Sequence, residues 1–304
     1  MIQVHIQDET ASLEAVILGT AESSGGVPTL EKTYDPKSRE HILAGTYPNE
    51  EDLIKELQEV ELILKKYNVE VHRPSTIPHL NQIFARDIAF VLDGTLVIPC
   101  VTPERKLESE GIEHIVSKVE KVLLPDEHLL MEGGDIIPWN GYLFVGYSKK
   151  PDFERYTVAR TNEASLDYLK KAFPEWKVLG FELNKSDSNA KENALHLDCC
   201  FQPVGRNKAV IYPEGFKHRE DVQFLKSLFK EHNLFEIDQE EMYHMNSNFF
   251  SISPEVVISD TSFTRLNNRL TAWGLKVEGV KYREIAKMEG LLRCTTMPLR
   301  RSYV

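Results

Sequence analysis

The chain has 304 residues, enough for one large domain or two small ones, and its 41% hydrophobic and 27% charged content is that of a soluble globular protein. It carries 47 acidic against 36 basic residues, a net charge of −11, which argues against non-specific nucleic-acid binding and suits a small-molecule ligand. No apolar run reaches the roughly 18 residues of a membrane span. The N-terminus has neither the basic nor the apolar region of a signal peptide. The four cysteines, Cys100, Cys199, Cys200 and Cys294, form no C-x-x-C pair, and two of them are adjacent, so neither a disulfide framework nor a structural zinc site is expected. A reducing cytosol is the expected compartment.

Glu14 to Gly19 is a short apolar strand closed by glycine. Residues 20–48 are rich in Gly, Ser, Pro and Thr and are expected to form a loop. Asn49 caps a predicted helix over 50–66, with Leu53, Leu57, Val60, Leu62 and Leu64 as its apolar face. Val69 to His72 alternates as a strand does. Two apolar runs joined by Asp93-Gly94 form a predicted hairpin over 87–99. A helix over 103–120 and the short strand Val122–Leu124 follow. The stretch Glu132-Gly133-Gly134-Asp135 opens a second hairpin, 135–147, turned at Asn140-Gly141. Further hairpins are predicted at 200–212 and 248–259. Helices are predicted at 161–173, 221–230 and 262–273, each followed by a short strand. The chain ends with Leu291 to Cys294 and a short tail.

This is five passes of hairpin, helix and strand, provided the opening strand shares its unit with the tail. A period near 60 residues marks a repeat architecture. Repeated ββαβ units that cannot bury their own apolar faces close into a ring or stack. The expected fold is therefore a single α/β domain over 1–304 with quasi-symmetric blades.

The residues just before each hairpin are the chemically active ones: Arg86-Asp87, Glu132 to Asp135, His196-Leu197-Asp198, Asn246 to Asn248, and Arg293-Cys294. Asp87 to Asp135, Asp198 to Asn246, and Asn246 to Cys294 are each 48 residues apart. Equivalent positions in a ring converge on its axis, which would place four carboxylates, a histidine and a cysteine in one pocket. Facing carboxylates need a cation between them, and a planar guanidinium suits them. Cysteine is the strongest side-chain nucleophile and histidine the usual proton shuttle. The set points to covalent attack on a cationic amidine carbon.

These segments, in this order, resemble the amidinotransferase/arginine deiminase superfamily. Asn81 to Asp87 is similar to its N-x-x-F-x-R-D segment, Glu132 to Asp135 to its E-G-G-D, and Arg160-Thr161-Asn162 to its R-T-N. His196-Leu197-Asp198 is similar to its H-x-D, Met245-Asn246 to its methionine–asparagine pair, and Arg293 to Arg301 to its nucleophile segment. The resemblance implies a five-bladed ββαβ propeller, the pentein fold. It implies Cys294 as nucleophile, His196 as general acid and base, and Glu132 as the histidine's support. It further implies Asp87 and Asp198 as a guanidinium clamp, with Asn81, Asp135 and Arg160 also binding substrate. No cofactor and no metal are implied. The implied partner is a small guanidino compound such as arginine, with no nucleic acid and no membrane, and with a homo-oligomer allowed. A glycine run common before the family's cysteine is here Glu289 to Arg293.

Beside these readings stand plainer ones. Cys199 and Cys200 are expected to be strand packing, and the stretch 104–121 a solvated helix face. Gly133 and Gly134 are expected to serve backbone conformation. The functional alternatives are a cysteine-dependent hydrolase of arginine or a modified arginine, an amidinotransferase, and a non-catalytic binding protein on the same fold. The arginine before Cys294 favours the hydrolase.

Overall fold

The chain folds around five three-stranded sheets of one plan, in a computed structural model that describes residues 1–303. Each sheet is an antiparallel pair, a hairpin in four of the five, whose central strand also pairs, in parallel, with a third strand reached through a crossover. The first sheet opens with β1 (Ser12–Leu18). Helices α1 (Pro36–Leu43) and α2 (Glu50–Lys66) then lead to β2 (Glu70–His72), which pairs parallel to β1.

The second sheet has the hairpin β3 (Phe90–Leu92) and β4 (Thr95–Val97), the single turn α3 (Glu113–Val116), and β5 (Val122–Leu123). The third has β6 (Ile136–Trp139), β7 (Tyr142–Tyr147), α4 (Lys150–Arg155), α5 (Glu163–Ala172) and β8 (Lys177–Glu182). The fourth has β9 (Phe201–Val204), β10 (Lys208–Ile211), α6 (Arg219–Ser227) and β11 (Leu234–Glu236). After α7 (Gln239–Tyr243) the fifth has β12 (Phe250–Ser253), β13 (Val256–Asp260), α8 (Thr264–Ala272) and β14 (Lys276–Val280). The last strand, β15 (Thr296–Ser302), returns to β1 and pairs with it antiparallel, so the opening strand and the tail do share one sheet.

The hairpin turns form for the reason their residues predict. Asp93 (φ 50°), Asn140 (φ 49°) and Gly141 (φ 79°) all take the left-handed backbone of tight turns. The strands of the central hairpins are buried along nearly their whole length, and three apolar clusters fill the space between sheets and helices. Helix α2 shows how a crossover helix is held. The Asn49 side chain accepts from the Asp52 N–H at 3.0 Å, and Leu53, Leu57, Val60 and Leu64 are buried beneath it.

Several expectations are corrected. Leu62 does not belong to the apolar face of α2: it is 69% exposed, because two residues after Val60 the helix has turned away from the core. The segment 20–48 is not all loop, since Asp35 accepts the Ser38 N–H at 2.7 Å and starts α1 with Pro36 in its first turn. The helix expected over 103–120 is instead a tight i→i+3 stretch over Pro103–Ile112 followed by the single turn α3. Gly111 lies within this stretch because a Cβ there would meet the Gln82 side chain at 2.1 Å. Among the described residues, no helix is long and apolar enough to cross a membrane.

Leu57 tests the packing. Leu57→Ala removes a side chain with no exposed surface, so urea unfolding should show a loss of about 2–5 kcal/mol. A loss below about 0.5 kcal/mol would show that α2 does not carry the sheet it covers.

Candidate active site

The five segments that precede the hairpins meet. The Arg86 N–H donates to the Cys294 carbonyl (3.0 Å), and the Gly133 N–H to the Asp87 carbonyl (3.2 Å). The Leu197 N–H donates to Asp135 Oδ1 (2.9 Å), the Ser247 hydroxyl to the Asp198 carbonyl (2.8 Å), and the Arg293 N–H to the Asn248 carbonyl (3.1 Å). Each segment is thus bonded to the next in turn. The two glycines of Glu132 to Asp135 are required by this approach, not by their backbone angles. A Cβ on Gly133 would sit 2.0 Å from the Arg86 carbonyl oxygen, and one on Gly134 would sit 2.5 Å from His196 Nδ1.

A cavity of about 820 Å³ opens here, lined among others by Asn81, Asp87, Glu132, Arg160, His196 and Cys294. Cys294 lines it and is buried. Its sulfur receives the Asn248 side-chain amide at 3.2 Å and lies 3.7 Å from Asp198 Oδ2. Burial raises the thiol's pKa well above its ordinary value, and the charges of Asp198 and Asp87 push it the same way. The resting sulfur is therefore a neutral thiol.

His196 lies between two acids, its Nε2 2.9 Å from Glu132 Oε2 and its Nδ1 3.8 Å from Asp87 Oδ1. Burial opposes its charging. Asp87, Glu132 and Asp135 outweigh burial and hold its pKa up at about 9, so at neutral pH it is an imidazolium. Burial also opposes the charge of Glu132, but Arg105, Arg160 and His196 hold its carboxyl well below the usual range.

Arg105 was not anticipated. Its Nη1 bridges Asp87 Oδ2 (2.8 Å) and Glu132 Oε2 (2.9 Å), while its Nε and Nη2 take both oxygens of Glu108 at 2.9 Å. Arg105 and Glu108 are buried, so the stretch 104–121 is not simply a solvated face. The i,i+3 spacing of Arg105 and Glu108 was the available signal. Asp87, Glu132 and His196 offer donor atoms within 4.8 Å of one another, as a metal site does, but Arg105 already takes both carboxylates.

Arg293 stood among the residues expected near the site, but its partners were not foreseen. Its Nη1 donates to Asp198 Oδ2 at 2.8 Å, and its Nη2 to Glu9 Oε1 at 2.9 Å. Each acid of the expected clamp, Asp87 and Asp198, therefore already holds one internal arginine.

The remaining expected residues fall in two places. Asn81 lines the cavity while its Oδ1 accepts the Ile83 N–H at 3.1 Å. Arg160 lines it too, donating to Glu132 Oε1 (3.4 Å), Thr102 Oγ1 (3.3 Å) and the Tyr34 carbonyl (3.2 Å), with its guanidinium over the Tyr34 ring. Asp135 faces away from the cavity, bonded by the Thr161 hydroxyl (2.6 Å) and the Leu197 N–H. Cys199 and Cys200 lie at the tight turn before β9 rather than within a strand, and Cys199 Sγ is 3.8 Å from Asp198 Oδ1.

The family model described as N,N dimethylarginine dimethylhydrolase, eukaryotic, matches residues 41–301. The chain belongs to this family, and with it to the amidinotransferase/arginine deiminase superfamily. Uncharacterized protein YkgA of Bacillus subtilis is 28% identical over 240 residues, covering 78% of this chain and 76% of that one. An arginine deiminase of Streptococcus gordonii is 26% identical over 215 residues, 61% of this chain, and the match spans 50% of the deiminase's length. Among solved structures, SxtG, an amidinotransferase from Microseira wollei, matches with a TM-score of 0.77 and 16% identity over 99% of this chain and 98% of its own. The substrate-bound N-terminal domain of ArgZ, a cyanobacterial arginine dihydrolase, matches with a TM-score of 0.76 and 16% identity over 94% and 98%. At these identities the two structures speak to the fold.

The imidazolium depends on its acids, which gives a direct test. Glu132→Gln removes an anion that favours the charged ring, so the His196 midpoint, followed by NMR, should fall from about 9 by a unit or more. An unchanged midpoint would show that Glu132 does not hold the charge on His196.

Proposed function

We propose that the protein is a cysteine-dependent hydrolase that splits a C–N bond of arginine or of a modified arginine. The observation that carries this reading is the placement of the Cys294 sulfur, the His196 imidazolium and the Asp87 carboxylate on one cavity, with the buried Asp198 carboxylate 3.7 Å from that sulfur. The family's description as a dimethylarginine hydrolase supports the same class of chemistry. We further propose that the five sheets close into a propeller around this cavity and that 1–304 acts as one catalytic unit, because the site draws on residues from Asp87 to Cys294.

A guanidinium entering beside Cys294 brings positive charge to the sulfur, so the thiol gives its proton to solvent and stands as the thiolate. The thiolate attacks the central carbon, a C–S bond forms, and the C=N electron pair moves to nitrogen. His196 gives its proton to the departing nitrogen as the C–N bond breaks, leaving an amidino carbon on sulfur. His196, now neutral, takes a proton from water, water attacks the same carbon, and the C–S bond breaks. Glu132 keeps the imidazole charged and oriented, Asp87 and Asp198 hold the guanidinium, and Arg160 holds the carboxylate at the far end of the substrate. Asn81 lines the pocket around it, and Asp135 holds the Leu197 N–H next to His196 rather than the substrate.

In a second reading an amine rather than water takes the amidino carbon from the sulfur, and the same cysteine chemistry is amidinotransfer. Product analysis by mass spectrometry, on arginine and methylated arginines with and without glycine, separates the two. A hydrolase yields the same products in both cases, whereas a transferase yields guanidinoacetate only with glycine. Turnover of none of these compounds would overturn both readings.

Two predictions follow from the charges. Attack requires the net loss of one proton from a site that rests as thiol and imidazolium, so kcat/KM should climb with pH from 6.5 towards about 9. A profile flat between pH 6 and 8 would contradict this protonation scheme. Asp198→Asn removes one arm of the clamp and should lower kcat/KM by the equivalent of ~2–5 kcal/mol, and because it also takes a counter-charge from the buried Arg293, the comparison is made on protein shown by its melt to be folded. Activity within threefold of wild type would exclude Asp198 from the clamp.

A further inference from the structure

We infer that Glu9 and Arg293 are positioning residues: Glu9 anchors the Arg293 guanidinium, and Arg293 in turn fixes the Asp198 carboxylate beside the Cys294 sulfur.

The geometry runs in a line. Arg293 has no exposed surface, and Asp198 has none. Arg293 Nη1 reaches Asp198 Oδ2 at 2.8 Å and the Gly134 carbonyl at 3.3 Å, and its Nη2 reaches Glu9 Oε1 at 2.9 Å and the Ile136 carbonyl at 2.8 Å. The oxygen that Arg293 holds is the one that stands 3.7 Å from the thiol. A guanidinium is a rigid fork, so with both arms occupied it has one orientation and imposes one on its partner. Glu9 itself is buried and also receives Arg86 at 3.3 Å. It is the only carboxylate paired with Arg86 among the described residues, so the N-terminal segment is tied to the centre of the site by charge as well as by backbone.

The arrangement answers an electrostatic problem. A bare carboxylate 3.7 Å from a buried sulfur would oppose the thiolate. A cation held on that carboxylate's Oδ2 offsets part of its charge at the sulfur, and Arg293 is not among the residues lining the cavity. Asp198 and Asp87 oppose ionisation of the thiol and Arg293 favours it, Cys199 and Tyr282 interact with it, and the His196 imidazolium shares its cavity. Glu9 is acted on by Arg293, Arg86 and Arg301, which outweigh burial and hold its carboxyl down at about 2. It therefore remains an anion wherever the protein is folded near neutral pH.

The inference rests on the proposed function only through the role of Cys294, and its test reads that thiol without substrate. The rate of iodoacetamide alkylation of Cys294, located by peptide mass spectrometry, is measured against pH on protein that melts cooperatively. In Glu9→Gln, Arg293 has lost one of its two counter-charges and acts more fully on Asp198 and the sulfur. The alkylation midpoint should fall by about half a pH unit or more. In Arg293→Lys a single compact ammonium cannot span both acids, Asp198 keeps more of its charge, and the midpoint should rise by a similar amount. This second variant carries the test if Glu9→Gln does not fold. A midpoint within about 0.2 unit of wild type in either folded variant overturns the inference, since a purely structural role would alter the melt and leave the midpoint in place. Failure to turn over any guanidino compound would sink the proposed function and leave this result standing.

Discussion

Buried carboxylates must be matched by cations, and the site depends on that constraint. Asp87, Glu132 and Asp198 are nearly or wholly buried, where unpaired charges cost several kcal/mol each. Arg105 answers Asp87 and Glu132, Arg160 adds to Glu132, and Arg293 answers Asp198. His196 takes its charge from the same acids. Arg105 and Arg160 hold the Glu132 carboxyl well below the usual range, and the surrounding carboxylates keep the imidazole protonated. The cavity is thus charged and oriented before any substrate enters, which lowers the reorganisation needed when a cation arrives.

The fold supplies the convergence that this pairing needs. Each sheet contributes the residues just ahead of its hairpin, and each such segment hydrogen bonds to the next. Gly133 and Gly134 let two of these segments touch, because a side chain at either would strike Arg86 or His196. Stability and chemistry therefore share the same atoms. The bonds that fix the Cys294 backbone, its carbonyl accepting from Arg86 and its N–H donating to the Asn248 side chain, also fix the sulfur against the acids.

Much of this was legible in the sequence because its signals are local. Asp93-Gly94 and Asn140-Gly141 announce hairpins through their backbone preferences. The 48-residue spacing from Asp87 to Asp135 and from Asn246 to Cys294 announces repeated units. What escaped depends on distance or burial. Glu9 meets Arg293 across 284 residues, and nothing near either one reports the pairing. Arg105 and Glu108 sit in a stretch full of Lys and Glu, where charge reads as solvent exposure, and only the packed structure turns the pair inward. Leu62 looked like core because it is leucine, yet its angle on α2 sends it outward.

The central claim is that Cys294 takes the amidino carbon of a guanidino compound into a covalent bond. Wild-type protein mixed at high concentration with arginine or dimethylarginine labelled with carbon-13 at the guanidine carbon, then quenched in acid within milliseconds, measures this directly. The account predicts a mass gain on the peptide carrying Cys294 that includes the labelled carbon, appears before product accumulates, and is absent from Cys294→Ala. Turnover of the labelled compound with no label ever found on that peptide, together with retained activity in Cys294→Ala, would contradict it.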